Sequence, residues 1–311
     1  MDVKNFEIRK HDDSVDFFTL LGIYNKMAKY CNPTAIEINE NFASAILGSN
    51  PDFSQKTLLC INLQNEIIGF SSIMKLPLYK NEWFVIYGVI PKYIESHLTR
   101  ELMDATLRLG KEKKVQELYI QTTGEKSALF DESLENLGFT PIHYYYYMIL
   151  DDFGRFSLPK DPQGIDIQSH KNIEDYESIV VLLNEAFKDA FLWKPLKARK
   201  WKKVLEQVNK NRIFEYGIAY DKDKIVGFCN SYFDPNQGEI GWINTLGIIP
   251  NHQNSGIGSA LFASRVEFLQ NSGCKKINLP VEAKNKNAIR LYEKFGFYKK
   301  DHMTEKTYRL I

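Results

Sequence analysis

The order of apolar and polar positions in this chain runs through one cycle and then repeats it. "NFEIRK" (5–10) alternates like a short strand, and an amphipathic helical segment follows at about 14–30. "TLLCINLQNEIIGFSSIMK" (57–75) places two apolar runs around a polar turn, the pattern of a β-hairpin. "EWFVIYGVIP" (82–91) predicts a third strand, and a long helix, a strand, a second helix and "LGF" (137–139) follow. "HYYYYMIL" (143–150) reads as the last strand of this half, its alternate tyrosines turned to the sheet or surface of the other half. From residue 164 the order returns: "GIDIQS", a helical segment near 173–187, the hairpin "EYGIAYDKDKIVGFCNSYF" (215–233) and the strand "EIGWINTLGIIP" (239–250). A long helix, the strand "KKINLPVE" (275–282), another helix and "FGF" (295–297) complete it.

The two cycles keep register. Pro91 and Pro250 lie 159 residues apart, as do Leu102 and Leu261, and Gly138 and Gly296 lie 158 apart. So constant an offset over so long a stretch points to internal duplication. Each half is expected to be an α+β domain, a mixed, mostly antiparallel sheet flanked by helices. The expected boundaries are 1–150 and 165–311. They are joined by a linker, 151–164, that holds two Pro and two Gly without periodicity.

Composition narrows the class without naming it. A chain of 311 residues is long enough for two domains. With 44% hydrophobic and 25% charged residues, and a formal net charge of +1, no global field favours nucleic acid or an anionic membrane. No apolar run approaches a membrane span, and "MDVKNFEIRK" lacks the apolar core of a secretory signal. The four cysteines are dispersed, as free thiols in a reducing cytoplasm would be. The six histidines form no ligand spacing, so no metal is expected. These features lead us to expect a cytoplasmic monomer or homodimer that binds neither nucleic acid nor membrane.

The candidate chemistry begins at "HQNSGIGSA" (252–260), between the strand ending at Ile249 and a helix with Ile257, Leu261 and Phe268 on one face. A helix start offers unpaired N–H groups and the positive end of its dipole, and glycine lets an anion approach the backbone. A dinucleotide fold is excluded by Leu261 at the third glycine position and by the lack of an acid near Asn278. Downstream lies "NKNAIRLYEKFGF" (285–297). Together, Gln253-x-x-Gly256-x-Gly258 and Asn285-x-x-Ala288-x-x-Leu291-Tyr292-x-x-x-Gly296-Phe297 resemble the signature of the GNAT family of acyl-CoA-dependent N-acetyltransferases, over about 165–311.

This resemblance implies a working arrangement. Gln253 would open a loop whose amides, Asn254, Ser255, Gly256, Ile257, Gly258 and Ser259, hold the pyrophosphate of acetyl-CoA. Leu246, Gly247 and Ile248 would pair with the pantetheine arm and polarise the thioester carbonyl. Gly247 suits the bulge that the family carries in this strand. Asn285 would contact the cofactor, cap the last helix, or do both. Tyr292 would be the general acid for the leaving thiolate. Where a close branch of the family has a glutamate, five residues before the asparagine, this chain has Pro280. Glu282 and Glu239 are the remaining candidate bases, beside a water chain or bulk solvent. Phe191, Trp193 and Trp201, within the basic run 188–203, would wall the acceptor site; a solvated basic face is the plainer reading.

In the first half the same positions are Ile94, His97, Thr99, Ser127 and Leu134. The apolar frame persists while every motif residue is replaced, as in a degenerate GNAT-like domain. The tandem layout is similar, in architecture alone, to that of the two-domain acetyltransferases related to mycothiol synthase. The function so implied is direct transfer of an acetyl group to a primary amine of a small molecule. A protein or peptide N-terminal acetyltransferase and a non-catalytic acyl-CoA-binding regulator are the alternatives.

Overall fold

The computed structural model describes residues 6–310 except 13–14, 34, 36, 39, 41–42, 45–49, 77–81, 95, 125, 127, 156–158, 160–161, 209–211 and 237–238. The expected linker, 151–164, therefore falls partly outside the described residues. The chain forms two compact units, 1–144 with 301–311, and 145–300.

In the first unit, β1 (Phe6–Lys10), β2 (Thr57–Asn62), β3 (Ile67–Met74) and β4 (Trp83–Val89) are antiparallel neighbours in that order, and β5 (Leu118–Thr122) runs parallel to β4. Helix α1 (Phe17–Cys31) starts where the Asp16 carboxylate accepts the Thr19 N–H at 2.8 Å. Its buried Leu20, Ile23, Met27 and Cys31 recur at helical spacing. Alternation along the strands, shifted by one residue at Ile68 where β3 carries an extra residue opposite β2, sorts the core onto two faces. Leu59, Ile61 and Phe70 meet Leu20 and Ile23 of α1, while Cys60 and Ile68 share a cluster with Leu98 and Leu102 of α2 (Leu98–Glu112). Helix α3 (Ala128–Asn136) and the start of β6 (Phe139–Leu150) follow.

The second unit contains β7 (Ile165–His170), α4 (Tyr176–Ala186), α5 (Ala198–Val208), β8 (Ile213–Asp221), β9 (Lys224–Phe233) and β10 (Ile240–Ile248). These are followed by α6 (Ile257–Asn271), β11 (Lys276–Glu282) and α7 (Lys286–Lys294). Strands β7 to β10 form an antiparallel meander, and β11 joins β10 in parallel. Helix α6 buries Ile257, Leu261, Phe262, Val266 and Leu269. It also buries Arg265, whose guanidinium donates to Glu215 at 2.9 Å and to the Ser169 hydroxyl, so the helix is tied to two strands.

The strand that follows "LGF" or "FGF" does not stay with its own half. From Tyr145 to Leu150, β6 pairs antiparallel with β11 in the second unit, Tyr145 opposite Glu282 and Leu150 opposite Ile277. Conversely, Lys306 to Arg309 of the final strand, β12 (Tyr298–Leu310), pairs with Thr122 to Tyr119 of β5 in the first unit. The expected division at 1–150 and 165–311 differs from the compact units for this reason. Periodicity marks a segment as a strand and gives its buried face, but it does not specify which sheet edge receives it.

Candidate functional site

The site is built where two parallel strands separate. β10 and β11 are paired only from Ile240↔Lys276 to Trp242↔Asn278. Beyond that, β11 continues with β6 to Glu282 and β10 continues with β9 to Ile248. At the start of the separation Ile243 faces Ser231 and Thr245 faces Asn230, leaving Asn244 as an extra residue in β10. The bulge is thus at Asn244, and the expectation at Gly247 is corrected. The bend is needed where the strands begin to part, three residues before Gly247. Gly247 stays in register with Phe228. An added Cβ there would lie 2.9 Å from the ring of Phe187, at the end of α4. The sequence signal for the bulge is the adjacent polar pair Asn244 and Thr245, which interrupts the apolar pattern of the strand.

Past Ile248 the chain makes a 3-10 turn, Pro250–His252, and then two left-handed steps, Asn254 at φ 60° and Gly256 at φ 89°. Asn tolerates this region because its short polar side chain compensates locally, and Gly meets no steric penalty there. The Gln253 side-chain amide donates to the Ile248 carbonyl at 3.0 Å, and the Ser255 hydroxyl donates to the His252 carbonyl at 2.6 Å. Both side chains therefore hold the loop against the strand end. The His252 ring is 3.1 Å from the Asp221 carboxylate and steadies the turn from the other side. Helix α6 then begins at Ile257 with no side-chain cap among the described residues and no acid in its first turn. Its first N–H groups, including those of Gly258 and Ser259, are left for an anion. A Cβ on Gly258 would make only an ordinary contact, 3.7 Å from Ile248.

Asn285 is the N-cap of α7, its Oδ1 accepting the Ala288 N–H at 3.0 Å. Tyr292, on the inner face of that helix, is 8% exposed, with its ring centroid 4.8 Å from that of Phe262. Burial raises its hydroxyl pKa well above the usual tyrosine range, and the neighbouring Cys229 adds to the rise. Cys229 is itself buried and pushed up to about 12, so both groups keep their protons at neutral pH. Cys229 sits opposite Leu246 in the β9–β10 ladder, which brings Tyr292 to the same end of β10 as Gly247 and Ile248.

The two candidate carboxylates are separated. Glu239 precedes β10 at its paired end, where it meets Lys275 at 2.7 Å and its carbonyl accepts the N–H groups of Lys275 and Lys276. It is not brought to the loop. Glu282 ends β11 on the open side of the separation and is half-buried. Of the candidate acceptor-wall aromatics, Trp201 is instead core, packed edge-on against Tyr176 and Phe228. Trp193 lies 5.1 Å from Phe187, the ring that covers Gly247, and Phe191 is half-buried. Sequence reasoning missed Asn278 and Asn230. Asn278 is fully buried with neither side-chain amide atom partnered, and the Asn230 side-chain oxygen is likewise unpartnered. Both are polar residues in strands that otherwise read as core.

The second unit thus has a parallel pair that opens at a bulge, with an uncapped, glycine-bearing helix start at its open end. Residues 176–297 match the model of the Acetyltransferase (GNAT) family. Mycothiol acetyltransferase of Rhodococcus jostii is 26% identical over 145 residues, 44% of this chain and 46% of that protein. That of Actinosynnema mirum is 26% identical over 166 residues, 52% of this chain and 54% of that protein. The chain thus spans about half the length of these curated relatives. A tandem GNAT protein from the clavulanic acid biosynthesis pathway superposes with a TM-score of 0.73 at 12% identity, covering 98% of each chain. A GCN5-related N-acetyltransferase from Sphaerobacter thermophilus does so at 0.69 and 17%, covering 99% of this chain and 96% of that one. The fold is that of two tandem GNAT domains. Among the described residues no helix is long and apolar enough to cross a membrane, and no group of three or more His, Cys, Asp or Glu side chains could hold a metal.

Proposed function

We propose that the chain is an acetyl-CoA-dependent N-acetyltransferase, and that its 145–300 unit passes an acetyl group directly to a primary amine of a small molecule. The observation that carries this reading is the uncapped start of α6, entered through two left-handed residues at the open end of the separated strands. Amides from Asn254 to Ser259 hold the pyrophosphate, and the edge of β10 at Leu246 to Ile248 takes the pantetheine arm as an added strand. Acetyl-CoA supplies an activated acyl thioester. A backbone N–H of β10 polarises the thioester carbonyl, Tyr292 gives its proton to the departing sulfur, and Glu282, alone or through water, receives the proton of the amine. Mycothiol acetyltransferase relatives favour a small-molecule acceptor over a protein terminus.

Calorimetric titration with CoA tests the cradle. Gly258→Val should melt like the wild type, because its Cβ has room, yet bind CoA at least about ten-fold more weakly, a loss of ~1.4 kcal/mol. Equal affinity would remove the cradle. CoA release with acetylated product, followed by mass spectrometry over a panel of amines, tests the transfer. Tight CoA binding with no product from any amine or peptide would favour a non-catalytic acyl-CoA sensor.

A further inference from the structure

The first unit keeps the separated strands and has lost the phosphate cradle. β4 and β5 are paired only from Trp83↔Leu118 to Val85↔Ile120 and then part. The space between their separated ends is a cavity of about 90 Å³. Ile86 of β4 and Thr122 of β5 line it, and Met27, Ala28 and Cys31 of α1 close it. Its wall is fixed by Gly124, at φ 100°, where an added Cβ would lie 2.4 Å from the Cys31 carbonyl oxygen. The exit of β5 is thereby pressed against the end of α1.

The lining has a definite chemistry. Among the described residues no charged side chain lines the cavity. The Cys31 thiol is pushed up to about 11 by burial and stays neutral. The Thr122 hydroxyl donates to Asp131 at 3.2 Å, and Lys306 pairs with the same carboxylate. Separated strand edges present alternating N–H and C=O groups, to which an amide pairs as a short added strand. At about 90 Å³ the cavity is smaller than the ~150 Å³ that admits benzene, so it suits a molecule smaller than an aromatic ring, such as an acetamide group.

Among the described residues, the loop that matches the second unit's helix entry is not built to hold a nucleotide's phosphates, and Lys126, whose charge reaches Cys31, lies over the Tyr30 ring. Where the second unit has exposed Gln253, this unit buries Ile94 in its core. His97 stands at φ −62° in place of left-handed Gly256, and Leu98 is fully buried. Glu101 stands in the first turn of α2, its carboxylate 3.7 Å from the His97 ring, and it sets a negative charge against the helix end that an anion would need. We infer that the cavity is a binding site for a small, uncharged, amide-bearing molecule that carries no phosphates, separate from the acetyl-CoA site of the second unit.

The test uses the full chain with 13C-methyl methionine, saturated with CoA so that the second unit is filled. The Met27 methyl, assigned through Met27→Leu, reports on the cavity. N-methylacetamide is the neutral probe, and acetate is a charged probe of similar size. The Met27 resonance should move saturably with millimolar N-methylacetamide and stay still with acetate. Ala28→Leu, which fills the space, should weaken that response at least about ten-fold while calorimetric CoA binding remains at the wild-type value. An unmoved resonance, an equal response to acetate, or a Met27 shift caused by CoA alone would each overturn the inference. The wild-type titration decides the matter even if Ala28→Leu fails to fold. Loss of CoA binding in Gly258→Val, read by calorimetry, reports on the second unit alone.

Discussion

At matching points of the two units, 159 residues apart, the backbone takes opposite turns. The second unit passes through Gly256 at φ 89° into a helix with no acid in its first turn, and the first passes through His97 at φ −62° into a helix that carries Glu101 there. Around these points the frame is the same. Both units have a parallel pair that parts after three residue pairs. Both have a glycine, Gly88 or Gly247, where the unit's first helical segment comes closest to the separated strand. The bulge is not shared, because the β3–β4 register runs unbroken from Gly69↔Val89 to Met74↔Phe84. The fold is held by many apolar positions, each tolerant of exchange, and it outlasts replacement of the few residues that make the proposed anion site. The parting of the strands therefore belongs to the frame, while the left-handed, uncapped entry to the helix belongs to the loop.

The largest effect should come from treating the repeat as two separable domains. Cutting the chain into 1–150 and 165–311 takes β6 from β11 and the end of β12 from β5. Each half would keep a sheet with an exposed central edge and lose apolar cover. Neither half should show a cooperative thermal transition by circular dichroism when expressed alone. Mixing the two should restore one. A half that melts cooperatively by itself would show that the exchanged strands are dispensable.

The same exchange marks the limit of what the sequence made legible. The duplication, the order of elements and the loop could be read because each rests on local pattern, such as "IIGF" and "IVGF" after a polar turn. The destination of "HYYYYMIL" could not, since strand pairing is a long-range choice among edges of similar chemistry. Tyr292 and Asn285 were picked out by resemblance to the family motif; Asn285 caps α7 and Tyr292 lies on that helix's inner face. Glu239 was chosen for its residue type on a strand near the site, and only the direction of β10 shows that it stands at the far end. Asn278 was overlooked because an Asn between Ile277 and Leu279 gives no cue to its burial.

Tyr292→Phe sharpens the comparison at the next level, since the matching residue of the first unit is Leu134, already without a hydroxyl. Phe preserves the packing on Phe262 and Phe297. Melting temperature and CoA affinity should stay close to wild type, while turnover should fall on the order of 10²-fold, the loss typical of a missing general acid. The raised pKa gives the sign of the pH dependence. The proton is retained through the neutral range and beyond the ordinary tyrosine value, so no falling limb due to Tyr292 should appear in the rate profile below about pH 10. A descending limb near neutrality that disappears in Tyr292→Phe would contradict the burial argument.

The finest contrast lies in the two glycines that admit the first helical segment of each unit. A Cβ at Gly88 would stand 3.0 Å from the backbone nitrogen of Tyr24 and 2.7 Å from the Phe70 ring, so a whole helix must move. At Gly247 the closest atom is the far edge of the Phe187 side chain at 2.9 Å, which can turn aside. Gly88→Ala should therefore destabilise the protein by ~1–3 kcal/mol, as overpacking against fixed backbone does, and Gly247→Ala by less than ~1 kcal/mol. The order reverses for function. Displacing Phe187 moves the ring that lies over the open end of β10 and touches Trp193, so Gly247→Ala should raise KM for the acceptor amine while leaving CoA affinity almost unchanged. Gly88→Ala should leave both constants unchanged at temperatures well below its melting point. Denaturant unfolding paired with steady-state kinetics on the two variants would resolve this, and equal losses of stability would mean that α1 yields as easily as a single side chain.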